Sequence, residues 1–339
     1  MEVPSSDTTQ ADSIGSVIDD EEAPDVVLAC TEVWAPLLEG LAIECSVIDI
    51  DQDFVDYLNE DGLDGGGLVM GRRDSDSDSD WEYDGPDSYP TGSTLAERFP
   101  VLNTRVEEAI GGFGGFAFPK LSWSAPTDAE WVRGPDGMKC RNLDEITVLL
   151  KASDFAQFDL QRLAIPESQR QLVPLPKLIL KPFIEPFHET LEFRCFVRGG
   201  TLRALCPRHL TGHLPFLYDM MYGQEQGLEE LRRFIDDQVM RRLSSGDYDK
   251  VVIDVYKHRK RYVVVDLAPW DEELTDPLLY TWEELEEFDG DVEWREVPKG
   301  AMPTNPSAVR KRASRMPVEV AQQLLLHGGD VEKLVDSLR

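Results

Sequence analysis

Apolar positions Leu102, Val106 and Ile110 recur every fourth residue, which predicts an amphipathic helix over about 100–110. Gly111-Gly112 supplies its stop. A second stripe, Leu228, Leu231, Ile235, Val239 and Leu243, predicts another helix. Short runs of β-formers predict strands at 26–29, 45–50, 116–121, 177–183, 191–197 and 201–205. Thr31 is placed to cap a short helix running through Leu38. Gly199-Gly200 is a hairpin turn between two of the strands. Residues 251–256 and 262–267 form a further hairpin that turns near residue 260. Short helices are expected at 279–288 and 318–326. Consecutive hairpins with helices between them favour an α+β fold over a doubly wound parallel sheet. No repeat period is present, which excludes a solenoid.

Two stretches break this patterning. Residues 1–24 are acidic and polar, and they cannot bury enough apolar surface to offset the entropy of ordering. They are expected to be a disordered tail. A second acidic, disordered insertion is expected at about 72–92, where Arg73 leads into repeated Asp-Ser from Asp74 to Asp80. A solvated loop is the simple reading; the repeats also suit an acid-directed kinase, which mass spectrometry of cellular protein would test. Around these stretches the chain divides into an N-terminal lobe at 25–175 and a C-terminal lobe at 176–339 that ends in a helical segment.

Charge narrows the function. Asp and Glu number 65 against 34 Lys and Arg, a net charge of −31. That field repels phosphate backbones and argues against a nucleic-acid binder, while favouring a basic protein partner. No run of eighteen apolar residues occurs to span a membrane, and the first residues lack a signal-peptide pattern. The five cysteines are odd in number and form no CxxC pair, which suits free thiols in a reducing cytoplasm. A monomer is expected.

The chemistry centres on Asp254 and Asp266, each set inside a run of apolar β-formers. A hairpin places them opposite each other, where like charges destabilise and burial adds to the cost. Either one carboxyl holds a proton or a cation lies between them. Mg2+ takes a few carboxylate oxygens plus substrate phosphates, which describes a nucleotide site. The plain alternative is an edge strand with both aspartates in water. Lys120, Lys181, Arg194 and Arg208 lie beside predicted strands and form a triphosphate clamp if they converge. Other signals are weak. The Gly111–Gly115 run lacks the ending of a phosphate loop. Cys206, His209 and His213 lack a fourth zinc ligand. No Gly-x-Ser-x-Gly occurs. Arg310-Lys311-Arg312 with Arg315 reads as a solvated basic patch.

Longer words are more specific. Pro119-Lys120-Leu121-Ser122-Trp123-Ser124-Ala125-Pro126-Thr127-Asp128-Ala129 resembles a signature of the cell division cycle protein 123 family. So do Glu192-Phe193-Arg194-Cys195-Phe196-Val197, Asp254-Val255-Tyr256, Val265-Asp266-Leu267-Ala268-Pro269-Trp270 and the stretch from Thr275 to Leu285. Trp34-Ala35-Pro36-Leu37 and Asp56-Tyr57-Leu58 fit as well, so the resemblance runs in order from about Val26 to the C-terminus.

The resemblance implies an ATP-grasp-like fold of two lobes with ATP between them. It implies an assembly chaperone, without established catalysis, that binds the gamma subunit of eukaryotic translation initiation factor 2. Such a role supports translation initiation and the cell cycle. By position, it implies phosphate contacts from Lys120 and Arg194, and a first nucleotide motif at Trp123, Ala125 and Asp128. It implies a hinge beside adenine at Lys181, Pro182 and Phe183, with Glu192 and Arg208 lining the cleft. Asp254 and Asp266 are the implied Mg2+ ligands. Ala268 departs from the family, which carries Asn there as a third ligand, and Asp271 is the nearby substitute. A carboxylate–amine ligase and a degenerate fold that binds its partner without ATP are the alternatives.

Overall fold

A computed structural model describes residues 25–60, 95–163, 165, 173–210, 212–223, 226–243 and 248–299. The tail at 1–24, the insertion at 72–92, the helix expected at 318–326 and the basic patch at 310–315 lie outside the described residues.

The chain opens with α1 (Asp25–Leu28) and α2 (Thr31–Trp34), the latter extended by a 3-10 turn at Ala35–Leu38. Residues 26–29, expected as a strand, are therefore helical or turn. Four apolar residues have no readable period, so composition alone cannot separate a strand from a buried helical turn. Thr31 is not the cap but the first helical residue, after Cys30. Its hydroxyl and amide both donate to the Ser122 carbonyl, at 3.1 and 2.9 Å, so a tertiary contact takes the group that a cap would use.

The first sheet has three antiparallel strands in the order β1 (Ser46–Ile48), β3 (Leu178–Pro182), β2 (Ala117–Lys120). Its helices are α3 (Gln52–Asn59), α4 (Leu95–Arg98), α5 (Pro100–Gly112), α6 (Leu143–Ala152) and α7 (Asp154–Leu160). The stripe Leu102, Val106, Ile110 of α5 faces this core, together with Phe54, Ile146, Leu149 and Leu180. Strand β3 follows the lobe boundary expected at 175, yet it is the middle strand of this sheet.

The second sheet has five strands in the order β7 (Arg261–Ala268), β6 (Lys250–His258), β4 (Glu192–Arg198), β5 (Thr201–Pro207), β8 (Glu293–Trp294). All its pairings are antiparallel except β5 with β8. The fold is thus α+β with largely antiparallel sheets, as the sequence predicts. Gly199 and Gly200 both have positive φ, +63° and +65°, as the two central residues of a tight hairpin turn require.

Residues alternate across β4. Phe193, Cys195 and Val197 meet the long helical stripe of Leu231, Ile235, Val239 and Leu243. That stripe runs through α9 (Gly227–Arg233), a π turn (Phe234–Val239) and α10 (Met240–Leu243), and the preceding α8 (Pro215–Tyr222) adds Leu217 and Met221. On the other face Phe196 packs with Trp270, Tyr280 and Leu285, the last from α11 (Trp282–Glu287). A reciprocal capping box at Thr281 and Glu284 starts α11. Trp34 and Leu38, from the start of the chain, are buried in the second sheet's core. Among the described residues no helix is long and apolar enough to cross a membrane.

Candidate functional site

The alternation that buries Phe193, Cys195 and Val197 on one face of β4 leaves Glu192, Arg194 and Phe196 on the other. The register then sets one row across four strands. Cys206 lies opposite Arg194, Arg194 opposite Asp254, and Asp254 opposite Asp266. The hairpin reading of the two aspartates is correct to the residue.

Neither carboxylate faces open water unaccompanied. Arg194 donates to Asp254 through Nε at 2.8 Å and Nη2 at 2.7 Å, and its Nη1 donates to the Asp276 carbonyl at 2.8 Å. Arg208 Nε adds a bond to Asp254 at 3.1 Å. Lys120 Nζ lies 2.7 Å from both oxygens of Asp266. Neither a shared proton nor an intervening ion is needed to separate the two carboxylates. The protein's own cations resolve the repulsion, and they come from β2, β4 and the end of β5, far away in sequence.

The four cations converge. Lys120 and Lys181 leave the first sheet and reach β7 of the second, Lys120 at Asp266 and Lys181 at the Val265 carbonyl, 2.6 Å away. Lys181 Nζ also stands 5.5 Å from the Trp34 ring centroid. Lys120 is 1% exposed, Arg194 5% and Asp254 7%. Burial pushes the Lys181 ammonium down to about 8 despite the Asp266 charge. Burial would raise Asp254, but Arg194 and Arg208 overcome it and hold that carboxyl at about 2. Burial acts against the Arg194 charge too, and Asp254 outweighs it, so Arg194 stays ionised.

The other expected residues are arranged less directly. Glu192 is buried beside the cluster, and its carboxylate bonds His209 Nε2 at 2.7 Å. Pro182 ends β3, and Phe183 and Ala125 pack against the first sheet's core. Trp123 lies in the loop after β2. Asp128 points elsewhere: it accepts from Ser153 Oγ at 2.6 Å and from the Asp154 and Phe155 amides at 2.8 and 3.3 Å. It holds the start of α7 and does not reach the cation cluster.

Asp271, considered as a substitute for the missing oxygen at Ala268, accepts from the Glu273 and Leu274 amides and shapes a turn. Of the zinc-like trio, His209 is committed to Glu192 and His213 Nδ1 lies 3.1 Å from the Val297 carbonyl. Among the described residues no group of three or more His, Cys, Asp or Glu is arranged to hold a metal ion. A cage of that kind is not what Mg2+ needs, because one or two carboxylates and substrate phosphates suffice. The donor set of two carboxylates on neighbouring strands, ringed by four cations, fits Mg-ATP. The pairing of His209 with Glu192, and that of Asp159 with the Ser124 amide and hydroxyl in the loop after β2, are contacts no sequence spacing marks.

The chain is similar to known proteins. A family model described as D123 matches residues 34–323. A Danio rerio protein named translation initiation factor eIF2 assembly protein is 32% identical over 331 residues, covering 91% of each chain. The cell division cycle protein 123 of Aspergillus terreus is 31% identical over 286 residues, 79% of this chain and 64% of that one. The solved structure of Cdc123 from Schizosaccharomyces pombe superposes with a TM-score of 0.62 at 28% identity, covering 81% of this chain and 97% of that one. With a family model over most of its length and a relative 32% identical across 91% of both chains, this chain belongs to the D123 family.

Proposed function

We propose that this chain is an ATP-binding assembly factor for eukaryotic translation initiation factor 2. In this reading it binds the gamma subunit, and Mg-ATP occupies an ATP-grasp-like cleft between the two sheets. The assembly role rests on the names of its relatives in Danio rerio and Xenopus tropicalis. The nucleotide role rests on one observation: four cations and two carboxylates from both sheets converge on β6 and β7.

Lys120, Lys181, Arg194 and Arg208 would hold the phosphates, and Asp254 and Asp266 the Mg2+. Trp123 and Ala125 would flank them, Pro182 and Phe183 would lie at the base, and Glu192 would line the cleft. Bound Mg-ATP would supply the anion that the cations match and the divalent ion that the carboxylates match. Each protein group can then exchange its present partner for one of opposite charge without leaving a bare ion in the interior. Arg gives two-pronged contacts and Lys point charges, so the set can both orient and neutralise. The acidic surface would meet a basic face of the partner.

Calorimetry with Mg-ATP tests the nucleotide half. Binding to the native protein, lost in Asp254→Ala and Asp266→Asn, is expected. A pulldown of the gamma subunit, weakening as salt rises, tests the partner half. The paired state of each carboxylate, together with Ala268, favours one competing reading, a charge cluster that only fastens the sheets. Partner capture with no heat from Mg-ATP would establish that reading instead.

A further inference from the structure

We propose that Asp159 is a positioning residue that fixes, through Ser124, the backbone of the loop following Lys120. The ligand this loop would meet rests on the nucleotide reading above; the clamp itself does not.

Asp159 lies near the C-terminal end of α7 and is 1% exposed. Oδ2 accepts from the Ser124 amide at 2.7 Å and Oδ1 from the Ser124 hydroxyl at 2.9 Å, and the carboxylate also takes a bond from the Trp123 amide. The site is costly for a carboxylate on two counts. Burial disfavours its charge, and the C-terminal end of a helix carries partial negative charge.

The contact is reciprocal. Asp128, at the far end of the same loop, binds the opposite end of α7. Between them, Ser122 accepts two bonds from Thr31 at its carbonyl; its hydroxyl donates to Glu32 at 2.7 Å and accepts from the Lys177 amide at 2.8 Å. A bond from the Leu121 amide to the Ser124 carbonyl closes the turn. Every fixed point lies within eight residues of Lys120, whose ammonium is part of the charge cluster. A rigid loop of this kind holds donors in place before a ligand arrives, which lowers the entropic cost of binding.

The titratable groups facing Asp159 are Lys120 from β2 and the Cys30 thiol ahead of α2, with Glu32 beyond Cys30. Burial pushes the Asp159 carboxyl up to about 7, against the pull of Ser124 and Lys120. The clamp is therefore charged at pH 8 and weakened by protonation at pH 6.

The test compares native protein, Asp159→Asn and Ser124→Ala by hydrogen exchange over 121–126 and by Mg-ATP calorimetry at pH 6 and 8. Asp159→Asn is expected to speed exchange in the loop and to weaken Mg-ATP at pH 8 by about tenfold, the worth of one charge-assisted bond. Ser124→Ala keeps the amide bond and should lose less. The native affinity should fall from pH 8 to 6 more steeply than that of Asp159→Asn. Native exchange rates in Asp159→Asn overturn the clamp. Native affinity and pH profile, with only a lowered melting temperature, overturn its positioning role. If Asp159→Asn does not fold, Ser124→Ala decides by the same readings. No heat from the native protein sinks the nucleotide reading and the positioning role with it, whereas the exchange comparison still judges the clamp.

Discussion

Replacing Arg194 by Met removes the main partner of a buried carboxylate while keeping most of the side-chain volume. Two charge-assisted bonds, at 2.8 and 2.7 Å, and a third to the Asp276 carbonyl disappear together. Breaking one side of a buried ion pair costs about 3–5 kcal/mol, and Arg208 at 3.1 Å still offers partial relief. A loss of about 3 kcal/mol at pH 7 is expected. The pH dependence distinguishes this cause from mere loss of packing. In the native protein Asp254 has a folded pKa of about 2 against an ordinary 3.8. Its share of the stability, about 2 kcal/mol, is complete above pH 4 and fades as pH falls toward 2. In Arg194→Met burial prevails, Asp254 takes up a proton more readily, and most of that share is gone already. The gap between the two proteins should therefore narrow in acid. Urea unfolding followed by tryptophan fluorescence at pH 7 and pH 3 measures it. An equal gap at both pH values refutes the reasoning. So does a double variant, Arg194→Met with Asp254→Leu, that is no more stable than Arg194→Met alone.

Lys181→Met should be at least as stable as the native protein at pH 7 in denaturant unfolding, while its Mg-ATP affinity falls. The folded pKa of Lys181, about 8, lies below its ordinary 10.5, so the cost of burying its charge is full below pH 8 and fades as pH rises to 10.5. Asp128→Ala leaves the hydroxyl of Ser153, the N-cap of α7, and the Asp154 amide without their acceptor; a loss of about 2 kcal/mol should appear in thermal melts. Ala268→Asn restores an oxygen two residues beyond Asp266, and calorimetry should then show ATP binding at lower Mg2+.

Much of the architecture was written in local pattern. The period of four in α5, the paired glycines at 199–200 and the apolar runs flanking Asp254 and Asp266 each force an element whatever surrounds them. The α+β class and the opposition of the two aspartates follow from that. A four-residue apolar run carries no readable period, which is why 26–29 can be helical or turn where a strand is expected. α3 and α6 do carry helical spacing, at Phe54, Tyr57, Leu58 and at Leu143, Ile146, Leu150, a local signal absent from the sequence expectations. The partners of the charges were beyond reach for a different reason. Whether Asp254 meets a proton, an ion or an arginine depends on which strands become neighbours. Lys120 and Asp266 stand 146 positions apart before the two sheets meet. Asp128 shows the same limit: the resemblance implies a place in a nucleotide motif, while its oxygens serve α7. Periodicity acts over one or two turns of chain, whereas electrostatic pairing is settled by distance in space, and only the folded structure sets that distance.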